Sequence, residues 1–173
     1  MRARLAYEQG RPGVARMLAQ NGAAAYPKSI GGAQCRNLIA EIEQQSVSFS
    51  AERVWCEPWP EMEINYKNLA EIQFRAVSVT FEEMFANHRR HDDQRHEVGF
   101  ALLKRKPAKT WGVILPRKED YTENTFRTPV PRDLKPGLYA VFAAVDGTFM
   151  EEGQPVAWGI FRVSKLALVG EQT

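Results

Sequence analysis

The stretch Leu134–Leu168, LKPGLYAVFAAVDGTFMEEGQPVAWGIFRVSKLAL, decides the fold, because it reads as two long strands joined by a turn-rich connector. Lys135-Pro136-Gly137 is a turn signal, Leu138 to Val145 is almost wholly apolar, and Asp146-Gly147 begins a reversal. After Pro155 a second run ends in the alternation Ile160, Arg162, Ser164 against Phe161, Val163, Lys165. An unbroken apolar run of this length suits a central strand covered on both faces. The C-terminal third therefore predicts a β-sheet core, and nothing in it is arranged for chemistry.

The chain upstream supplies partners for that core. Ser46, Ser48 and Ser50 alternate with Val47, Phe49 and Ala51, the period of a half-buried strand, and Cys56-Glu57-Pro58-Trp59-Pro60 breaks it. Met62, Ile64 and Tyr66 alternate with Glu61, Glu63 and Asn65 in a second strand, and Lys67-Asn68 makes the turn. A third runs from Ala70 to Val79, with Ile72, Phe74 and Ala76 facing one way and Glu71, Gln73 and Arg75 the other. Strands resume at Thr110–Leu115 and Thr125–Val130, separated by the polar loop Arg117–Asn124. Short turns imply antiparallel pairing. The sum is a mainly β fold, a seven-stranded antiparallel immunoglobulin-like β-sandwich.

Before Ser46 the pattern is helical, alanine-rich and punctuated by Gly13, Gly22 and Pro27-Lys28-Ser29, which predicts an N-terminal pair of α-helices. The first spans Gly13–Tyr26, with Pro12 in its opening turn and Val14, Met17, Leu18 and Ala25 near one face. The second is capped by Ser29 and buries the stripe Cys35, Leu38, Ile39 and Ile42. The domain division is therefore a helical segment over 1–45 and a β-sandwich over 46–173. Within the sandwich, Phe81, Met84, Phe85 and His88 form one face of a short helix, and Asn87–Glu97 reads as a solvated, mobile insertion.

Composition narrows the function classes. A 44% hydrophobic content is that of an ordinary globular protein, and 23 Lys and Arg against 21 Asp and Glu leave +2, too weak a field to argue for nucleic acid. No stretch of about 18 apolar residues exists, and Met1-Arg2-Ala3-Arg4-Leu5 has no apolar core of a signal peptide, so the segment predicts no membrane contact. Cys35 and Cys56 are too few for a disulfide scaffold and wrongly spaced for zinc, and supply at most one disulfide.

His88, His91 and His96, interleaved with Asp92 and Asp93, carry the residue types of a divalent-metal site. Their intervals of three and five, and the charges of Arg89, Arg90 and Arg95, favour a solvated charged segment instead. Arg89-Arg90 with Lys104-Arg105-Lys106 and Lys109 make a basic tract, read here as a charged edge that discourages sheet aggregation rather than a phosphate site. Trp55, Trp59, Trp111 and Trp158 suit either a sugar-stacking platform or, preferred here, core and rim packing. No nucleophile elbow, protease cysteine context or phosphate loop occurs, and Glu82-Glu83 and Glu151-Glu152 are adjacent pairs whose side chains diverge. No catalytic, cofactor-binding or metal-ligating residue is assigned, and an enzyme is not expected.

Several segments resemble the bacterial alpha-2-macroglobulin family: ERVW at Glu52–Trp55, EINYKNLAEIQFRAV at Glu63–Val77, LKPGLYAVFAA at Leu134–Ala144 and FRVSKLALV at Phe161–Val169. Gly13–Ser29 is similar to the closing helix of a helical repeat. The resemblance implies a macroglobulin-type sandwich serving as a non-catalytic framework in a large secreted, periplasmic or surface-anchored protease trap. Its partners would be neighbouring domains of the same chain and, through the whole parent, target proteases. The family's thioester motif, Cys-x-Glu-Gln, is matched by neither Cys35 in CRNL nor Cys56 in CEPW, so no functional residue carries over. A carbohydrate-binding module with exposed tryptophans, and an adhesion or chaperone module with a strand-accepting edge, are the alternatives.

Overall fold

The computed structural model describes residues 2–88, 92–116, 118, 120–145, 147, 149 and 156–165. Three helices come first: α1 (Arg2–Glu8), α2 (Pro12–Ala25) and α3 (Ile30–Glu43). Strands β1 (Ser46–Ala51), β2 (Val54–Trp55), β3 (Glu61–Lys67) and β4 (Glu71–Val79) follow, then helices α4 (Phe81–His88) and α5 (Asp92–Leu103). Strands β5 (Lys109–Ile114), β6 (Asn124–Pro129), β7 (Gly137–Ala144) and β8 (Val156–Val163) complete the described elements. The fold is mainly β, in two sheets: a three-stranded one in the order β1-β3-β6 and a five-stranded one in the order β2-β8-β7-β4-β5.

Strand β7 is the middle strand of the larger sheet, and its apolar run is buried on both sides, as the lack of alternation predicts. Tyr139, Val141 and Ala143 join the core between the two sheets, with Ile72 and Phe74 of β4, Met62, Ile64 and Tyr66 of β3, and Phe161 and Val163 of β8. Ala140, Phe142 and Ala144 point the other way, into a second core with Val77, Val79, Phe149 and the α5 residues Leu102 and Leu103. Helix α5 approaches that face closely at Gly99, where an added Cβ would lie 3.1 Å from Trp158 Nε1. The molecule is thus layered helix, sheet, sheet rather than sheet on sheet alone.

Two expectations for the sheets need correction. Among the described residues eight strands replace seven, and one pairing is parallel: β2 lies beside β8 with Val54 opposite Arg162 and Trp55 opposite Val163. The cause is a strand that changes sheets. β1 pairs antiparallel with β3, from Ser46 opposite Lys67 to Ala51 opposite Met62, and the chain then crosses at Glu52-Arg53 to the edge of the other sheet. There Arg162 N donates to Arg53 O at 2.8 Å and Ser164 N to Trp55 O at 3.0 Å. The crossing drops the Trp55 indole, fully buried, onto Phe161 with ring centroids 5.0 Å apart.

Three helices, not a pair, precede the sandwich. Pro12 opens α2 and the Ser29 hydroxyl accepts from Gly32 N at 3.0 Å at the start of α3, as the capping signals require. Leu38 and Ile42 of the α3 stripe are buried, with Cys35 and Ile39 packed against them. The buried face of α2 differs in part from the expectation: Leu18 packs against the helical core, but Pro12, Ala15 and Ala19 are the buried residues and Val14 and Met17 are 41% and 54% exposed. Small residues face inward because the helices approach closely: a Cβ at Gly22 would meet Cys35 Sγ at 2.8 Å.

The polar stretch Asn87–Glu97, expected as a solvated insertion, is helical where it is described, and residues 89–91 lie outside the described residues. Helix α4 extends to His88, and α5 starts at Asp92 and continues to Leu103.

Candidate interaction surfaces

Among the described residues, those singled out for chemistry do not converge. His88 ends α4 and His96 lies within α5, whereas His91, Arg89 and Arg90 lie outside the described residues. Among the described residues no group of three His, Cys, Asp or Glu side chains is placed to hold a metal ion. Both cysteines are free, Cys56 buried and Cys35 half-buried between helices. Trp55, Trp59 and Trp111 belong to the core between the sheets and Trp158 to the one beneath α5, so the four are split across opposite faces of the large sheet. Glu151 and Glu152 lie outside the described residues.

Glu83 is engaged in structure. Its carboxylate accepts from Thr80 N at 2.8 Å while the Thr80 hydroxyl accepts from Glu83 N at 3.2 Å, a reciprocal cap that starts α4. Arg105, just past α5, donates to both oxygens of the same carboxylate. The Arg105 hydrogen bond, followed by that from the Thr80 backbone, pulls the Glu83 carboxyl down from 4.5 to about 2. One residue therefore ties the beginning of α4 to the end of α5.

The helical segment meets the sandwich at a comparable junction. The last carbonyls of a helix have no partners within it. Asn68, at the β3–β4 turn with φ 57°, donates from Nδ2 to Ile42 O at 2.8 Å and Gln44 O at 3.1 Å, and Lys67 Nζ donates to Glu41 O at 3.2 Å. Gln45 returns a bond from Nε2 to Asn68 O at 3.3 Å. Asparagine tolerates this left-handed backbone better than most residues, which lets the turn present its amide to α3. Tyr121, also left-handed at φ 56°, packs against the helical core with the Arg16 guanidinium 5.4 Å from its ring centroid. Arg16 is held in turn by Glu43, whose hydrogen bond pushes the guanidinium further above its usual range.

The two ends of the sheet order differ in what they present. β6 is the outer strand of the small sheet and carries Arg127 bonded to Glu63, Thr125 bonded to Asn65, and Pro129. β5 is the outer strand of the large sheet, and its exposed residues include Thr110, Gly112 and Ile114, the last 81% exposed. The expectation of a charged edge is corrected here: of the basic tract only Lys109 falls on the strand, where it pairs with Asp133, and Lys104–Lys106 lie in the turn before it.

No family model and no curated protein matches this chain. Among solved structures, the crystal structure of native alpha-2-macroglobulin from Escherichia coli spanning domains MG0-NIE-MG1 is similar with a TM-score of 0.45 and 14% identity. The match covers 75% of this chain and 42% of that one, so the chain spans less than half of that structure. The likeness is weak.

Two of these surfaces were out of reach of sequence reasoning. Lys67-Asn68 is legible as a turn, but its role as a helix cap depends on carbonyls more than twenty residues earlier in the chain. The open edge of β5 depends on sheet order, which alternation does not report. The one signal was negative, since TWGVI carries no charge and no proline.

Proposed function

We propose that this chain is a non-catalytic framework module of a larger, extracytoplasmic protein of the alpha-2-macroglobulin kind, which restrains proteases as a whole. The observation that carries the reading is the Asn68 junction: the carbonyl end of α3 is capped by the β3–β4 turn, so helices and sandwich are built as one strut. A part whose task is to hold neighbouring domains at a set angle needs such a joint. The segments resembling the family support it too, since ERVW contains β2, EINYKNLAEIQFRAV covers most of β3 and β4, and LKPGLYAVFAA contains β7. FRVSKLALV begins on β8, and its last residues lie outside the described ones.

The test is the native protein. An antibody raised against the folded domain should detect, outside the cytoplasm, a chain several times larger than 19.7 kDa. That chain, incubated with an endoprotease, should co-migrate with it while the protease still cleaves small peptides. A cytoplasmic species of about the domain's own mass, or a large chain that leaves proteases free, would overturn the proposal. Its downstream sequence, read for Cys-x-Glu-Gln, then tells covalent from purely steric restraint. The carbohydrate alternative predicts retardation on immobilised glycans, which the division of the tryptophans between two cores argues against.

A further inference from the structure

The β5 edge is the feature the framework role leaves unused. Leu115 N donates to Ala70 O at 2.9 Å, continuing the register in which Ile114 lies opposite Glu71 and Lys109 opposite Ala76. In an antiparallel pair each residue turns both backbone groups to the same side, and successive residues alternate. Lys109, Trp111 and Val113 therefore bond to β4, and Thr110, Gly112 and Ile114 turn their N–H and C=O outward. Strand order ends at β5, so three donor–acceptor pairs stand open along the edge among the described residues. No proline guards it, unlike β6 with Pro129, and its one charge, Lys109, is paired with Asp133.

A second copy of this chain fits that edge poorly. Antiparallel self-pairing centred on Gly112 would set Lys106 of each copy against Lys118 of the other, like charge against like, and of these lysines only Lys104 would face a carboxylate, that of Asp120. Arg105 and Lys109 already hold Glu83 and Asp133, but Lys104, Lys106 and Lys118 are exposed and have no ion pair among the described residues. An unrelated strand with carboxylates beside Lys104 and Lys106 meets complementary charge instead.

We propose that β5 accepts an extended segment of another protein, antiparallel to it, with β-branched residues opposite Thr110–Ile114 and acidic residues at its C-terminal end. The inference does not rest on the framework reading. It places main-chain hydrogen bonds at the centre of the interface and charge at one end, so register is set by the lysines and affinity by the backbone.

The probe is an acetylated peptide of alternating valine and threonine ending in glutamates, compared with the same peptide ending in lysines. By calorimetry the glutamate peptide should bind at least about tenfold tighter, a difference of about 1.4 kcal/mol. Exchange of the Thr110, Gly112 and Ile114 amides should slow on binding, while Trp111 and Val113 stay as they were. Lys104→Glu with Lys106→Glu should reverse the charge preference. Thr110→Pro removes an outward donor without touching the β4 bonds and should abolish binding; Ile114→Lys, which charges the edge, should weaken it about tenfold and serves if the proline variant fails to fold. Equal binding of the two peptides, protection elsewhere, or no binding overturns the proposal. Sedimentation showing a dimer that protects the same three amides without peptide overturns it in favour of a second copy.

Discussion

On one face of the five-stranded sheet Phe74 meets Phe49 edge-on at 5.6 Å and stacks on Trp111 at 5.2 Å; on the other, Phe142 stacks on Trp158 at 5.6 Å beneath α5. The first face is closed by another sheet, whose side chains interdigitate from β1, β3 and β6. The second is closed by α5, a helix anchored at its end through Arg105 and Glu83 and in contact through Leu102 and Leu103. Both faces are equally dry where they meet β7. What differs is how many independent elements share the burial, and hence how much collapses when one contact is removed.

The comparison breaks most visibly at Phe74. Its ring is fully buried, so Phe74→Ala should cost about 3–5 kcal/mol, lowering the denaturation midpoint for the whole molecule. Leu102→Ala, on the helical side, should cost about 2–3 kcal/mol and act more locally, speeding amide exchange in α5 before that in β4. Denaturant titration with exchange readout distinguishes the two. An equal, global loss for both would mean that α5 belongs to the same cooperative unit as the sheets, and a Leu102 effect below about 0.5 kcal/mol would make the helix a loose appendage.

The third site lies outside both faces. Asn68→Ala removes the two bonds to α3 and leaves an alanine at φ 57°, and should cost about 1–3 kcal/mol. Asn68→Gly removes the bonds alone and should cost less. Were the two variants equal, the strain would be negligible and capping would account for the whole effect.

How far the sequence went follows from the same contrast. Alternation in β3 and β4 identified Met62, Ile64, Tyr66, Ile72 and Phe74 as the side chains facing the other sheet, and all five are buried. The unbroken run of β7 announced a second covered face without saying what covers it. Leu102 and Leu103 close a helix that opens in the polar DDQRHE, so hydropathy reads a solvated insertion where the tertiary contact selects a helix. In α2 side-chain size favours Val14 and Met17 for the buried face, whereas close approach selects Ala15 and Ala19. The sheet change between β1 and β2 left no mark, because Glu52-Arg53 is neither glycine nor proline. Of the surfaces, the turn at Asn68 was legible and its capping partners were not.

Glu83 gives the smallest expected effect and the one that isolates the helical face. Its carboxyl titrates at about 2 in the folded chain against 4.5 as the reference, so the folded state prefers the ionised form. A depressed pKa contributes stability that is fully present above the unfolded value and is lost as pH falls through the folded one. With a third of the side chain in solvent, screening reduces the contribution to about 1 kcal/mol. Glu83→Gln keeps the size and much of the cap but not the charge, so the variant should be less stable by that amount above about pH 5. The gap should close progressively toward pH 2 and below, as the native carboxylate itself takes up its proton. Parallel stability curves for the two proteins across that window would place the anchoring of α5 in its apolar contacts and leave the Arg105 clamp without energetic weight.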